Sequence, residues 1–218
     1  MSKPYSLIVT DTSPLFTLVL AGSLDVLLRP GLPVRIPDAV YIEATRVHGA
    51  PGAEQIVEWI NAHLDAVQIV PTDIGIDQQR RLEEGRTIRG LGEQAAVEVL
   101  DRFLRTDPAA EALLLFEDTD VERRRAIVDE RVGIISTGDF LRELETAGLI
   151  QSTDYILDQA AAQGRNVGSA VPAIIRPHAS GCAGNGPGVT SRPSRAIRPV
   201  RRGGRPRRGC AGLLVVRC

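Results

Sequence analysis

The chain has 218 residues, a length that suits one domain, with or without an extension. Its three cysteines, Cys182, Cys210 and Cys218, all lie near the C-terminal end, so the body has no disulfide framework and fits a reducing compartment. No apolar run reaches the roughly 18 residues of a membrane-spanning helix, and no charged leader precedes an apolar core, so we expect a soluble cytoplasmic protein with no membrane partner.

Short β-branched runs alternate with longer helical patterns along the body of the chain. In chain order, the pattern predicts a strand at 5–11, a helix at 13–22, a strand at 34–37, helices at 38–47 and 52–64, and a strand at 66–71. Helices at 74–90 and 92–104, a strand at 112–116, a helix at 121–131, a strand at 132–137, and helices at 139–148 and 152–163 follow. Such alternation is typical of right-handed βαβ units with helices on both faces of a parallel sheet. We therefore predict a three-layer α/β/α sandwich around a parallel sheet of about five strands.

The first strand ends on Asp11, the one carboxylate in the run LIVTDTSPLFTLVLAG. Asp is a preferred helix cap, so capping is one interpretation of this residue. Pro14, however, is best tolerated at the first helical position, which would make Ser13 the cap. Asp11 would then lie at the carboxyl end of a parallel strand, where ligands bind in open α/β sheets.

Four further acids occupy comparable positions. Asp118 and Asp120 follow the fourth predicted strand, at the same edge of the sheet as Asp11. Glu43 lies on the face of its helix that points towards the sheet, and Glu93 opens a helix behind the sequence RGLG. The sequence therefore predicts a group of carboxylates at one edge of the sheet.

Each of these acids also has a purely structural interpretation. Asp118 and Asp120 suit turns, Glu93 suits the positive end of a helix dipole, and Glu43 could pair with Arg46. Together, however, the acids would repel one another strongly, and bound divalent cations would relieve that repulsion. The spacing of the histidines and cysteines does not favour zinc, so Mg²⁺ or Mn²⁺ is the expected metal.

Five segments, in this order, resemble the PIN domain, and in particular the VapC-like ribonuclease toxins of bacterial type II toxin–antitoxin modules. They are VTDTSPL, the Glu of YIEATR, GLGEQAAVEVL, LLLFEDTDVERRRA and STGDFLRELETAGLI, and the resemblance covers residues 5–150. It implies that Asp11, Glu43, Glu93 and Asp118 form the catalytic site. It also implies that one or two Mg²⁺ or Mn²⁺ ions bind there, with Asp120 as a further metal ligand.

The same resemblance implies supporting hydroxyls at Ser13 and Thr137. One departure from the family pattern is Glu93, where the family often has Asp. Another is Glu117 beside Asp118, where the family usually has a Thr and a basic residue before the fourth acid. The fourth ligand therefore stays open between Glu117, Asp118 and Asp120, although Asp118 fits the register best.

By resemblance, the protein would be a metal-dependent endoribonuclease, the toxin of a pair whose partner is a cognate antitoxin, and it could form a homodimer. Arg86, Arg89 and Arg123 flank the acids and are candidates for contact with RNA phosphates. Arg124 and Arg125 are better explained by a solvated helix face.

Two other classes of function compete with this one. The same fold with an altered carboxylate group would be a binding module that acts through a protein partner. Phosphoryl-transfer domains of the receiver and haloacid-dehalogenase types also place an Asp after the first strand. The dehalogenase type needs a second Asp where this chain has Ser13, and the receiver type needs a late lysine, whereas the only lysine here is Lys3.

The charge of the chain divides it into a body, 1–163, and a tail, 164–218. Residues 1–158 hold 15 basic and all 27 acidic residues, a formal charge of −12, whereas the rest holds 11 arginines and no acid. The tail is rich in Gly, Pro and Arg, so it should not form a packed core. It is either a basic arm for nucleic acid or out-of-frame sequence from a GC-rich gene end, and we expect residues from about 165 onward to be dispensable.

Overall fold

The computed structural model describes residues 5–46, 52–86, 90–117 and 128–165. Five strands form one sheet: β1 (Leu7–Thr10), β2 (Val34–Pro37), β3 (Val67–Val70), β4 (Ala112–Leu115) and β5 (Val132–Ile135). Seven α-helices are described: α1 (Thr12–Leu20), α2 (Asp38–Thr45), α3 (Ala53–Ala62), α4 (Asp73–Glu83), α5 (Gly92–Thr106), α6 (Thr137–Thr146) and α7 (Thr153–Ala162). Every strand pair is parallel and the order is β3-β2-β1-β4-β5, which confirms the predicted five-stranded parallel sheet.

Helices cover both faces of this sheet. Leu7 and Val9 of β1 share a core with Val99 and Leu100 of α5. Ile8 points the other way, into a larger core formed with α1, α2, α3, α6 and α7. This division follows from the two-residue period of a strand, which sends successive side chains to opposite faces. The three layers confirm the predicted α/β/α sandwich.

The order in which successive strands are added reverses at β1, the middle strand. The chain first builds β1, β2 and β3 towards one side, and then adds β4 and β5 on the other side of β1. The backbone N–H of Asp11 donates to the carbonyl of Leu115 over 3.1 Å, so the ends of β1 and β4 lie side by side. In open α/β sheets, ligands bind beyond the carboxyl ends of the strands at such a reversal. The fold therefore favours a site at the residues that follow β1 and β4.

Among the helix boundaries that differ from the prediction, two lie at or near the predicted site residues. α1 begins at Thr12, so Asp11 rather than Ser13 is at the N-cap position. Proline is tolerated throughout the first turn, where N–H groups have no helical partner, so Pro14 did not mark the first helical residue. α4 ends at Glu83 instead of near Gly90, because the chain leaves the helix through Gly85, whose φ of +76° suits glycine.

Two other segments, 24–28 and 121–131, also differ from the sequence pattern or lie largely outside the described residues. Leu24–Leu28 forms a 3-10 helix that the sequence pattern did not reveal, since one short turn carries no helical period. The predicted helix at 121–131 falls largely outside the described residues, and its described end at 128–131 is not helical. Among the described residues, no helix combines the length and the apolar character needed to cross a membrane.

Arg131 joins the turn before β5 to α5, at the edge of the sheet where the strands begin. Arg131 donates to both carboxylate oxygens of Asp129, with Nε–Oδ1 2.9 Å and Nη2–Oδ2 2.8 Å, and its Nη1 donates to the carbonyl of Leu104 over 3.1 Å. The hydrogen bonds from the side chain and backbone of Arg131 hold the pKa of Asp129 below its usual value. This pair lies at the opposite edge of the sheet from the carboxyl ends of the strands.

The start of α4 packs closely on α2 through a hydrogen-bonded carboxylate. Asp38 Oδ1 accepts from Thr72 Oγ1 over 2.6 Å and from the N–H of Ala39 over 2.9 Å, and Thr72 Oγ1 accepts from the N–H of Gly75 over 2.9 Å. A Cβ atom at position 75 would stand 2.0 Å from that Asp38 oxygen. Only glycine fits there without moving a carboxylate that two donors hold.

We expect Gly75→Ala to destabilise the protein by about 1–3 kcal/mol, because the added methyl group overpacks this contact. Gly138→Ala is the matched control. It also lies in the first turn of a helix, but its Cβ would meet Arg142 Nη1 at an ordinary 3.7 Å, so the higher helix propensity of Ala should leave stability equal or improved by up to about 1 kcal/mol. Urea unfolding measures both, and equal stabilities for the two variants would contradict this account of the α2–α4 contact.

Candidate functional site

Asp11 lies between the end of β1 and the start of α1, and its carboxylate does not cap the helix. The residue is at the N-cap position, with extended backbone angles of φ −86° and ψ 174°, but its side chain makes no capping hydrogen bond. The carboxylate instead lies against the first turn of α5. A Cβ atom at Gly92 would stand 2.9 Å from Asp11 Oδ1 and 2.9 Å from a methyl carbon of Val40. Close helix packing therefore places this carboxylate at the positive end of α5.

Glu93 follows Gly92 in the first turn of α5 and lines the same cleft as Asp11. Both side chains line one tight cleft, whose apolar wall is formed by Ala96, Leu114 and Phe116. Carboxylate oxygens are the ligands that hard divalent cations prefer. The structure thus brings together two of the predicted site residues.

Glu43 reaches the same region from α2. Its Oε2 accepts from Thr12 Oγ1 over 3.1 Å, and its Oε1 accepts from the backbone N–H of Leu91 over 2.9 Å. One carboxylate therefore connects the first residue of α1 with the residue that precedes α5. Arg46, the partner considered for Glu43, donates to Gln79 over 2.6 Å.

Glu117 follows β4, and its carboxylate is buried and hydrogen-bonded. The side chain is only 7% exposed. Its Oε1 accepts from Thr137 Oγ1 over 2.6 Å, and its Oε2 accepts from Arg165 Nη2 over 2.8 Å. Thr137 is fully buried at the start of α6, so Glu117 is held from two sides.

The other predicted site residues are distributed as follows. Asp118, Asp120, Arg89 and Arg123 lie outside the described residues. Arg86 is largely exposed, and its Nη1 lies 3.8 Å from Oε2 of Glu84. Ser13, in the first turn of α1, accepts a hydrogen bond from Arg165 Nη2 at its backbone carbonyl over 3.3 Å. The roles of all these residues stay predictions.

The acids supply the donor chemistry of a divalent metal site, although they do not form a closed one. In the described part of the chain, no group of three or more Asp, Glu, His or Cys side chains is arranged so that it could hold a metal ion. All the candidate ligands are carboxylates, which hard cations such as Mg²⁺ and Mn²⁺ prefer. A carboxylate has about four lone-pair positions, so Glu43 and Glu117 keep acceptor capacity beyond their two hydrogen bonds each. The donor set fits such a cation.

Sequence reasoning missed two participants in this region. Thr12, rather than its neighbour Ser13, bonds Glu43 through its hydroxyl, and the register of a helix start cannot be read to one residue. Arg165 was assigned to the tail, yet it contacts Ser13, Thr17 and Glu117. The expectation that residues from about 165 onward are dispensable stays a prediction, although these contacts tie Arg165 to the body. The available sequence signal for a turn here was Gly164, the glycine just after α7, which is followed at once by Arg165.

Fold and site together define a class: a parallel α/β protein with carboxylates gathered where its strand order reverses. A family model described as the PIN domain matches residues 7–172. The chain therefore belongs to the PIN domain family and has its nuclease fold. PIN domains are generally nucleases and generally use divalent metals. No curated protein matches the chain.

Proposed function

We propose that this protein is a metal-dependent ribonuclease that hydrolyses RNA phosphodiester bonds, and that it is the VapC-like toxin of a toxin–antitoxin pair. The observation that carries the proposal is the neighbouring position of Asp11 and Glu117. They follow β1 and β4, the two paired strands at which the strand order reverses. Glu93 shares the cleft with Asp11, and Glu43 connects the helices that begin there.

In this proposal, Asp11 and Glu93 would hold Mg²⁺ or Mn²⁺ together with a fourth acid, for which Glu117, Asp118 and Asp120 are the candidates and Glu117 is the one that the structure describes. When bound, such an ion lowers the pKa of a coordinated water and so makes a nucleophile available near neutral pH. Glu43 positions the starts of α1 and α5 through its two hydrogen bonds. Thr137 donates a hydrogen bond to Oε1 of Glu117 and thereby restricts the rotation of that carboxylate.

The charge of the body bears on substrate binding. A formal charge of −12 over residues 1–158 repels the phosphates of RNA, so cations at the acids would have to reverse the local field before RNA could approach. Arg86, Arg89 and Arg123 are proposed as phosphate contacts that supply affinity without reading sequence. The proposed partners are the RNA substrate, a cognate antitoxin and a second copy of the chain.

A binding module is the second candidate, and one observation favours it. Both oxygens of Glu117 already accept hydrogen bonds from the protein, and the described acids form no three-residue metal group. A chain of this kind would act through a protein partner without cutting RNA.

The two candidates separate in one experiment. The purified full chain is incubated with a panel of structured RNAs in Mg²⁺, in Mn²⁺ and in EDTA, and Mn²⁺ binding is measured by calorimetry on the same samples. Cleavage that needs metal and is lost in EDTA supports the ribonuclease. Neither metal binding nor cleavage supports the binding module.

We expect Glu117→Gln to lower Mn²⁺-dependent cleavage by at least about 100-fold, because metal catalysis supplies several kcal/mol of transition-state stabilisation. Asp118→Asn and Asp120→Asn are made in parallel, since sequence alone left the fourth ligand open between these residues. A ligand role for Glu117 predicts the largest loss in the first variant. If Asp118→Asn abolishes cleavage while Glu117→Gln retains it, the fourth ligand is Asp118.

A further inference from the structure

Arg165 is held in place by the end of α7. The N–H of Gly164 donates to the carbonyl of Ala161 over 2.9 Å, and the N–H of Arg165 donates to the carbonyl of Ala160 over 3.0 Å. Gly164 has a φ of +83°. These two bonds and the left-handed glycine form a Schellman motif, which fixes the chain direction just after a helix. The backbone of Arg165 thus has a defined position at the close of the described body.

The guanidinium of Arg165 reaches three acceptors from there. Nη2 donates to Glu117 Oε2 over 2.8 Å and to the carbonyl of Ser13 over 3.3 Å, while Nε donates to Thr17 Oγ1 over 3.1 Å. Thr17 is fully buried in α1. A planar guanidinium that bonds a carboxylate, a hydroxyl and a carbonyl at once has little freedom to rotate. It therefore offers Glu117 a fixed donor.

Glu117 is consequently confined between two donors from different elements. Thr137 holds Oε1 from the start of α6, and Arg165 holds Oε2 from the end of α7. Residues that hydrogen-bond a metal-binding carboxylate without touching the metal fix its orientation. Their loss typically weakens metal affinity about 10–100-fold.

We propose that Arg165 is a positioning residue for the metal site, which orients Glu117 and so makes the turn after α7 part of the active site. This inference rests on the proposed metal-dependent function. A competing view treats Arg165 as a counter-ion that merely neutralises the acids. The two views predict opposite results, because removal of a positive charge next to a cation site strengthens cation binding by Coulomb's law, whereas loss of orientation weakens it.

The test measures Mn²⁺ affinity by calorimetry for the full chain and its variants. Arg165→Ala is expected to bind Mn²⁺ about tenfold or more weakly than the wild type, despite the lost positive charge. Arg165→Lys is expected to lie in between, since one ammonium group cannot bond the three acceptors in the same geometry.

Arg131→Ala is the matched control. Its side chain is 30% exposed against 31% for Arg165, and it also bonds one carboxylate and a main-chain carbonyl, but at the opposite edge of the sheet. It should bind Mn²⁺ as the wild type does.

Equal or tighter Mn²⁺ binding by Arg165→Ala overturns the inference while the proposed function stands. Should that variant fail to fold, Arg165→Lys decides, and wild-type affinity there also overturns it. A wild-type chain that binds no Mn²⁺ refutes the metal-dependent function itself, and the inference with it.

Discussion

Asp11→Asn is expected to abolish RNA cleavage, with a loss of at least about 1000-fold at saturating Mn²⁺. Asp11 follows the central strand at the reversal of strand order, and its carboxylate lies against the first turn of α5. The amide of Asn is nearly isosteric but carries no charge, so packing is kept while a metal ligand is lost.

The same variant should be more stable than the wild type without metal, because one charge leaves a group of like charges. With metal the order reverses. At an Mn²⁺ concentration of 100 times the dissociation constant, the wild type gains about 2.7 kcal/mol from binding, and Asp11→Asn loses most of it. Melting curves with and without Mn²⁺ measure both effects.

Asp154→Asn is the control, since it removes the same charge from an exposed position in the first turn of α7, the end remote from Arg165. Its melting temperature should rise with Mn²⁺ as much as that of the wild type. The absence of any Mn²⁺ effect on the wild type would count against the ribonuclease and for the binding module.

Gly92→Ala is expected to lower cleavage by about 100-fold, the size of effect that a 1 Å misplacement can cause. The new methyl group would stand 2.9 Å from both Asp11 Oδ1 and Val40 Cγ2, so either the carboxylate or the start of α5 must move. Overpacking costs about 1–3 kcal/mol, and the better helix propensity of Ala returns up to about 1 kcal/mol of that. Stability should thus fall far less than activity.

Gln94→Ala tests whether any change in this turn has the same effect. Gln94 is exposed in the first turn of α5, and its truncation should leave cleavage and melting temperature close to those of the wild type. Wild-type cleavage rates in Gly92→Ala would show that the contact between α5 and Asp11 does not set the position of the carboxylate.

The sequence was sufficient for the sheet but not for the details of the site. The inner strands β1 and β4 are short apolar runs, because both of their faces are buried under helices, and such runs are easy to recognise. The position of Asp11 and Glu93 at the ends of elements followed from the same pattern. Side-chain partners did not, since Thr12 and Ser13 offer the same hydroxyl chemistry and only the helix start decides which one meets Glu43.

Arg165 shows why composition misleads at a boundary. The tail is set apart by its arginines, and Arg165 looks like the first of them. Its contacts depend on a Schellman turn and on partners 148 and 152 residues away in the chain, at Thr17 and Ser13. No local pattern reports a contact over such a distance.

The strand order has a consequence for the synthesis of the protein. β1 is made before the other four strands, but it meets β4 only after β2, β3 and the helices between them have been made, and Thr137 and Arg165 follow later still. Because domains generally fold as units during synthesis, a nascent chain carries its acids on separate elements until the body is nearly complete. If the protein cuts RNA as proposed, the ribosome and messenger that produce it do not meet an assembled site before the residues up to Arg165 have been made.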